Sequence, residues 1–383
     1  NLKYLKLVMV NKRQLRIVLK FGSNLITTNN TVLNYNVIDN LASQIAKIFE
    51  EHEIVLVTSG AVAAGLQYIS SESTTKILKK NSVVQKQILA SVGQPILMKA
   101  YEESFDKYSI SVSQALLARG DFENRNGYLN IRNTLLELLQ IGILPIINEN
   151  DVVAVEELNR YGDNDRLSAM VANAVDADIL ILLGTIDGLY TKDPNLNNDA
   201  KKIEIVEKIT PKIISYAKGP VDKVGTGGMI SKIQAANIAT KSGISMYIAS
   251  GLQSQVIQRI INDETVGTKF LPEESNLETR KRWLVTGYTS SKGEILLDKG
   301  AVKAVNNNAS VLPAGIVTVT GKFDRGDIIA IKDEKSTTIG LGISNYSSNE
   351  ISKIKGVKSS EINELVENNY GDEVVHRNNF IFI

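Results

Sequence analysis

With 383 residues, 43% of them hydrophobic and 22% charged, the chain has the length for two or three domains and the composition of an ordinary globular protein. Its 43 Lys+Arg and 42 Asp+Glu leave a net charge of +1, so no global field draws it to nucleic acid or to an anionic membrane. The absence of cysteine excludes disulfides, thiolate catalysis and Cys-built zinc or iron–sulfur sites, and two histidines, His52 and His376, leave no basis for a His-built metal centre. The first stretch, NLKYLKLVMVNKRQLRIVLK, has no uninterrupted apolar core of signal-peptide length, and no run reaches the roughly 18–20 residues of a membrane span. A cytoplasmic setting is expected.

The predicted elements alternate over the first two thirds of the chain. RIVLKFGS (16–23) reads as a strand ending in Gly and Ser, and NVIDNLASQIAKIFEE (36–51) sets Val37, Leu41, Ile45 and Ile48 on one helical face. IVLVTSGAVAAG (54–65) repeats the design, a strand followed by a small-residue turn and a helix. ILPIINEND (143–151), ADILILLGTIDGLY (177–190) and SMYIASG (245–251) supply three more strands. NIRNTLLELLQIG (130–142) and SKIQAANIATKSG (231–243) supply helices between them. Strands alternating with helices imply right-handed βαβ crossovers, hence an α/β fold with a mainly parallel open sheet sandwiched by helices.

The pattern changes after about Leu271. LPEESNLETRKRWLVTG (271–287) is polar and carries the only tryptophan, Trp283. GEILLD, VLPAGIVTVTG, DIIAIKD and TIGLGISN are then short apolar runs separated by turn residues, the pattern of a small C-terminal β-barrel-like domain. The expected division is residues 1–273, a linker 274–288, and residues 289–383.

In an open α/β sheet, ligands lie outside the carboxyl ends of the strands, so the residues following each strand are the candidate site. These are Lys20, Gly22 and Ser23; Thr58, Ser59, Gly60 and Ala61; Asn148, Glu149, Asn150 and Asp151; and Gly184, Thr185 and Asp187. VGTGGMISKIQAA (224–236) adds glycines and Lys232 just before a helix, the ingredients of a phosphate cradle, although its spacing is neither a Walker A loop nor a dinucleotide fingerprint. An ordinary turn fits that loop as well. A strand-closing lysine such as Lys20 is ordinarily a solvated end, and Ser59 has no His–Asp pattern that would make it a triad nucleophile. GDNDRLSAMVA (162–172) sets Asp163, Asn164 and Asp165 ahead of a helix expected to begin near Arg166. One of them would suffice as a cap.

VLKFGSNLI, VTSGAVAAG, INENDVVAV, YGDNDRLSA, GLYTKDP, GTGGMISK and RKRW together resemble the glutamate-phosphorylating branch of the amino acid kinase family. The tail GEILLDKGAVKAV…LPAGIVTVTGKFDRGDIIAI…VVHRNN is similar to the PUA domain that many such kinases carry. The resemblance runs from about residue 15 to 378. It implies an amino acid kinase catalytic domain over 1–273 and a PUA domain over 289–383. The implied reaction is phosphoryl transfer from ATP to the γ-carboxylate of L-glutamate, giving L-glutamyl 5-phosphate and ADP. This is the first step of proline biosynthesis, with proline as feedback inhibitor and a homo-oligomer, dimer or tetramer, as the assembly.

By the same resemblance Lys20 and Lys232 act on the phosphates and Asp165 orients the two lysines. Ser59, Asp151, Asn164 and Asp163 contact the amino acid. ATP lies against Lys20, Gly22, Ser23, Gly60, Gly184, Thr185, Thr226, Gly227, Gly228, Met229, Ile230, Ser231 and Lys232. Mg²⁺ arrives held by nucleotide phosphates and water, without a protein metal cage. Two departures stand out: Gly184-Thr185 replaces the family's Ser/Thr-Asp pair, with Asp187 nearby, and Ser231 stands where Thr is common. The first 12 or so residues lie outside the resemblance.

Other readings are a kinase of aspartate, acetylglutamate or uridylate, which the GDND motif and PUA tail disfavour, and an RNA-binding protein. Residues 288–383 hold 11 Lys/Arg against 12 Asp/Glu, without the basic excess that binding a phosphate backbone needs.

Overall fold

A computed structural model describes residues 13–71, 82–154, 164–194, 196–217, 228–273, 291–307 and 309–382. Asp163, Thr226, Gly227, the connection at 274–288 with Trp283, and the first 12 residues lie outside the described residues. The chain divides into two compact units, Asn1–Arg119 with Leu135–Glu273, and Gly120–Thr134 with Glu274–Ile383. The second unit thus draws on a stretch from the middle of the sequence that the expected division assigns to the first.

The first unit is built on an eight-stranded sheet. Its strands are β1 (Arg16–Phe21), β2 (Glu53–Val57), β3 (Val112–Leu117), β4 (Leu144–Glu149), β5 (Ile179–Gly184), β6 (Ile205–Val206), β7 (Ser245–Ser250) and β8 (Thr268–Phe270). Their order across the sheet is β6-β8-β7-β5-β1-β2-β4-β3. Every neighbouring pair is parallel except β7 with β8. The mainly parallel open sheet expected from the alternation is therefore present. β1 lies between β2 and β5, and the chain first builds outward on one side of β1 and then on the other. That reversal is where an α/β sheet opens a crevice at its carboxyl edge.

Near-continuous burial marks the central strands as covered on both faces, and in β1 every residue from Ile17 to Phe21 is buried. Successive side chains of a strand alternate faces, so Ile17, Leu19 and Phe21 join one core cluster while Val18 and Lys20 point the other way. That cluster is completed by helix α1 (Tyr35–Ala46), through Ile38, Leu41, Ala42 and Ile45, and by helix α3 (Val83–Asp106), through Ala90, Leu97, Tyr101 and Phe105. Both sets recur at the spacing of one helical face. Burying each large apolar side chain contributes about 1.5–3 kcal/mol. Helix α1 starts where the Asn34 side chain accepts from the Val37 N–H, and α3 where Ser82 accepts from Gln85.

Between them, helix α2 (Ala61–Ser71) crosses α3 at very short range. A Cβ on Gly65 would fall 1.9 Å from the Leu89 carbonyl oxygen, and one on Gly93 would fall 1.8 Å from that of Ala61. Only glycine permits this approach.

The second unit contains a five-stranded sheet of β9 (Gly293–Leu297), β10 (Ile316–Gly321), β11 (Ile328–Lys332), β12 (Thr338–Ile343) and β13 (Phe380–Phe382), in the order β10-β9-β11-β12-β13. Its core gathers Ile295, Leu297, Phe323, Ile329, Ile331, Tyr346 and Phe380. Tyr346 is fully buried, its hydroxyl donates to Asn369 Oδ1 at 2.8 Å, and burial pushes its pKa up to about 12. Within this unit Asn133, on helix α4 (Arg125–Gln140), donates to the Tyr370 carbonyl, Arg325 donates to Asn130, and the Arg325 guanidinium lies 4.0 Å from the Tyr370 ring centroid.

A lysine–aspartate–lysine centre at the carboxyl edge of the sheet

The centre lies wholly in the first unit, and three elements converge on it. β1 delivers Lys20. Helix α5 (Asn164–Ala174) carries Asn164 and Asp165 in its first turn, and helix α6 (Met229–Lys241) carries Ser231 and Lys232 in its own. The helix expected near Arg166 begins two residues earlier. Asn164 and Asp165 are therefore held by helical backbone rather than by a loop.

Asp165 is 2% exposed and takes one lysine on each oxygen: Lys20 pairs with Oδ1, and Lys232 Nζ lies 2.7 Å from Oδ2. Ser231 donates its hydroxyl to the same Oδ2 at 2.8 Å. Burial alone would push this carboxyl up. The Lys20 and Lys232 ammoniums outweigh that effect and hold it well below the usual carboxylate range. The lysine-closed strand is thus no solvated end, because Lys20 is 6% exposed and ion-paired.

Glycines border the lysines. Gly22 donates its N–H to the Leu183 carbonyl, and a Cβ there would stand 3.8 Å from Lys20 Nζ and 3.9 Å from Gly184 Cα, so the ends of β1 and β5 meet beside the lysine. Gly228 caps α6 without a side-chain hydrogen bond, leaving the dipole-positive end of a 13-residue helix, with Met229 and Ile230 in its first turn, next to Lys232. Ser23 and Thr185 are exposed. Asp187 is partnered by Tyr190 at 2.8 Å and Lys202 at 3.3 Å. Burial opposes its ionisation, but these two partners hold its pKa below the usual value.

A second polar set adjoins the first through Asn164. The Asn164 amide nitrogen donates to the Thr58 carbonyl at 2.6 Å, to Ser59 Oγ at 2.8 Å and to Asn148 Oδ1 at 3.0 Å. Its own Oδ1 is buried and has no hydrogen-bond partner among the described residues. Asn164 therefore presents an acceptor, not an amide donor. Gly60, which follows Ser59, adopts φ +100, a conformation natural to glycine. Asp151 sits half-buried in the turn after β4.

Sequence reading had not singled out Gln94, whose Oε1 accepts from Asn148 Nδ2 at 2.7 Å, or Tyr101, whose hydroxyl lies 2.6 Å from Thr58 Oγ1. The signal for Gln94 was available. It falls on the same helical face as Ala90, Leu97 and Tyr101, where an uncharged polar residue is unexpected. Among the described residues no three His, Cys, Asp or Glu side chains gather as a metal cage, and no helix is long and apolar enough to cross a membrane.

A strand-edge anion site framed by two lysines on one carboxylate is the equipment of a phosphoryl-transfer enzyme. Residues 15–250 match the model of the amino acid kinase family and residues 293–366 that of the PUA domain. Among curated proteins, glutamate 5-kinase of Dehalococcoides mccartyi is 43% identical over 372 residues, 96% of this chain and 98% of that protein. Glutamate 5-kinase of Caldanaerobacter subterraneus subsp. tengcongensis is 43% identical with the same coverage, and that of Moorella thermoacetica is 44% identical over 96% of both chains. The chain belongs to the amino acid kinase family, within its glutamate 5-kinase branch.

Proposed function

We propose that this chain transfers the γ-phosphoryl group of ATP to the γ-carboxylate of L-glutamate, giving L-glutamyl 5-phosphate and ADP. The observation that carries the reading is Asp165 bridging Lys20 and Lys232 beside the Asn164–Ser59 pair. The donor set fits a nucleotide's phosphates: two ammoniums, and glycine-bordered backbone at a helix N-terminus.

The lysines neutralise charge that spreads over the transferring group, and Asp165 holds them at a fixed spacing before substrate arrives, so little reorganisation is needed. The attacking carboxylate is ionised at pH 7 and requires no general base. Mg²⁺ bound to the nucleotide phosphates supplies further charge neutralisation, held through those oxygens and water. The substrate ammonium is held by Asp151 and by the free Asn164 Oδ1, with Asp163 adding to the same charge, and its carboxylate by the Ser59 hydroxyl. Ser23, Gly60 and Gly228 offer backbone donors, whereas the Gly22 N–H is taken by the Leu183 carbonyl and Gly22 serves by its close approach alone, and the adenine side lies along Gly184 and Thr185.

An ATP-dependent hydroxamate assay comparing glutamate, aspartate and acetylglutamate tests the reading. Product is expected with glutamate alone, and turnover of either alternative in its place overturns it. Free proline titrated into the same assay is expected to compete with glutamate. The enzyme serves proline synthesis in the cytoplasm, as a dimer or tetramer.

A further inference from the structure

We propose that Gln94 is a positioning residue: by accepting from Asn148, it seats Asn148 against Asn164 and so holds the Asn164 Oδ1 where it meets the substrate ammonium. The inference rests on the glutamate-kinase reading above. Gln94 is 8% exposed on α3, Asn148 is 2% exposed at the end of β4, and Asn164 is 5% exposed at the start of α5. The three amides form one chain of hydrogen bonds, Asn164 to Asn148 at 3.0 Å and Asn148 to Gln94 at 2.7 Å.

An amide has one acceptor end and one donor end, so fixing any member fixes its neighbour. The Thr58 carbonyl fixes the Asn164 nitrogen inward, so the Asn148 oxygen turns to Asn164 and the Asn148 nitrogen turns to Gln94 Oε1. The Asn164 nitrogen then has three acceptors for two protons, and its oxygen is left for a ligand. Without Gln94 the buried Asn148 nitrogen loses its acceptor, and the Asn148 side chain is free to shift away from Asn164. The Thr58 carbonyl, an acceptor only, still keeps the Asn164 nitrogen inward, so the loss shows as a displacement of Asn164 and its Oδ1 rather than as an inversion. The placement depends on the helix crossing as well, since Gly93, one residue earlier, is where α3 touches the Ala61 carbonyl.

Steady-state kinetics on the full chain test this, with glutamate varied at saturating ATP and ATP varied at saturating glutamate. Gln94→Met, similar in size but without an acceptor, is expected to raise the glutamate KM about tenfold, the loss of roughly one buried hydrogen bond. Its kcat and ATP KM should stay within about twofold. Gln94→Glu keeps an oxygen for Asn148 and is expected to restore the wild-type glutamate KM. An unchanged KM in Gln94→Met overturns the proposal. So does a KM in Gln94→Glu as high as in Gln94→Met, which would mean that the Gln94 nitrogen itself meets the substrate. Should Gln94→Met prove too unstable to assay, Gln94→Asn, one methylene too short to reach Asn148, carries the same expectation. Failure of the wild type to phosphorylate glutamate would instead sink the functional reading.

Discussion

Lys20 and Lys232 stand 212 positions apart in the sequence and share one carboxylate, each taking its own oxygen of Asp165. If the lysines act on the transition state, Lys232→Ala should lower kcat by about 100-fold or more while the glutamate KM moves little. An unchanged kcat in steady-state assays would remove Lys232 from the chemistry. Asp165 also carries a pH signature. Its carboxyl is depressed in the folded state, so its contribution is fully present above the ordinary carboxylate value of ~3.9 and is lost as pH falls through the lower folded value. Asp165→Asn leaves the buried Lys20 ammonium and the partly buried Lys232 ammonium without their counter-charge, and should cost about 3–5 kcal/mol in urea denaturation at pH 7. The gap to wild type should shrink in acid. A gap that stays constant down to pH 3 would contradict the ion-pair account.

At the scale of elements, the crossing of α2 and α3 is the tightest constraint near the site. Gly93→Ala would put a methyl group against the Ala61 backbone carbonyl, where no flexible side chain can give way. The expected cost is about 1–3 kcal/mol by denaturant titration, accompanied by a raised glutamate KM because Gln94 moves with its helix. Full stability in that variant would show that the two helices can separate at no cost. Strand β3, Val112–Leu117, is among the elements sequence reading missed, with helix α3 and the short strands β6 and β8. Strand β3 is one of the sheet's two edge strands, paired among the described residues with β4 alone and partly exposed, so Ser113 and Gln114 interrupt the apolar run that revealed its neighbours. The start of α5 was misplaced for a related reason. Asn164 and Asp165 look like capping residues, yet both are helical and buried, because their side chains find partners across the site rather than in their own first turn.

For the whole molecule, the division into units bears on truncation. The lysine centre belongs entirely to the first unit, whereas Asn130 and Asn133 are bonded by Arg325 and Tyr370. Ending the chain near residue 288 should therefore preserve phosphoryl transfer within a few-fold. It should also lower Tm by about 5 °C, since each lost kcal/mol is worth roughly 2–4 °C in a domain of this size. Loss of all activity in a truncated chain that still unfolds cooperatively would tie catalysis to the second unit.

What sequence alone determined about this protein is local. Buried β-branched runs and small-residue turns define the mainly parallel sheet, and the glycines, lysines and acids after each strand mark its working edge. Those signals survive in one dimension because hydrophobic periodicity and turn chemistry act over a few residues. The tertiary structure alone decided how distant side chains share partners: that Asp165 serves both lysines, that Asn164 turns an acceptor outward, and that Gln94 stands behind it. The physical reason is that hydrogen-bond direction and ion pairing depend on which groups burial brings within about 3 Å, and no local pattern encodes that.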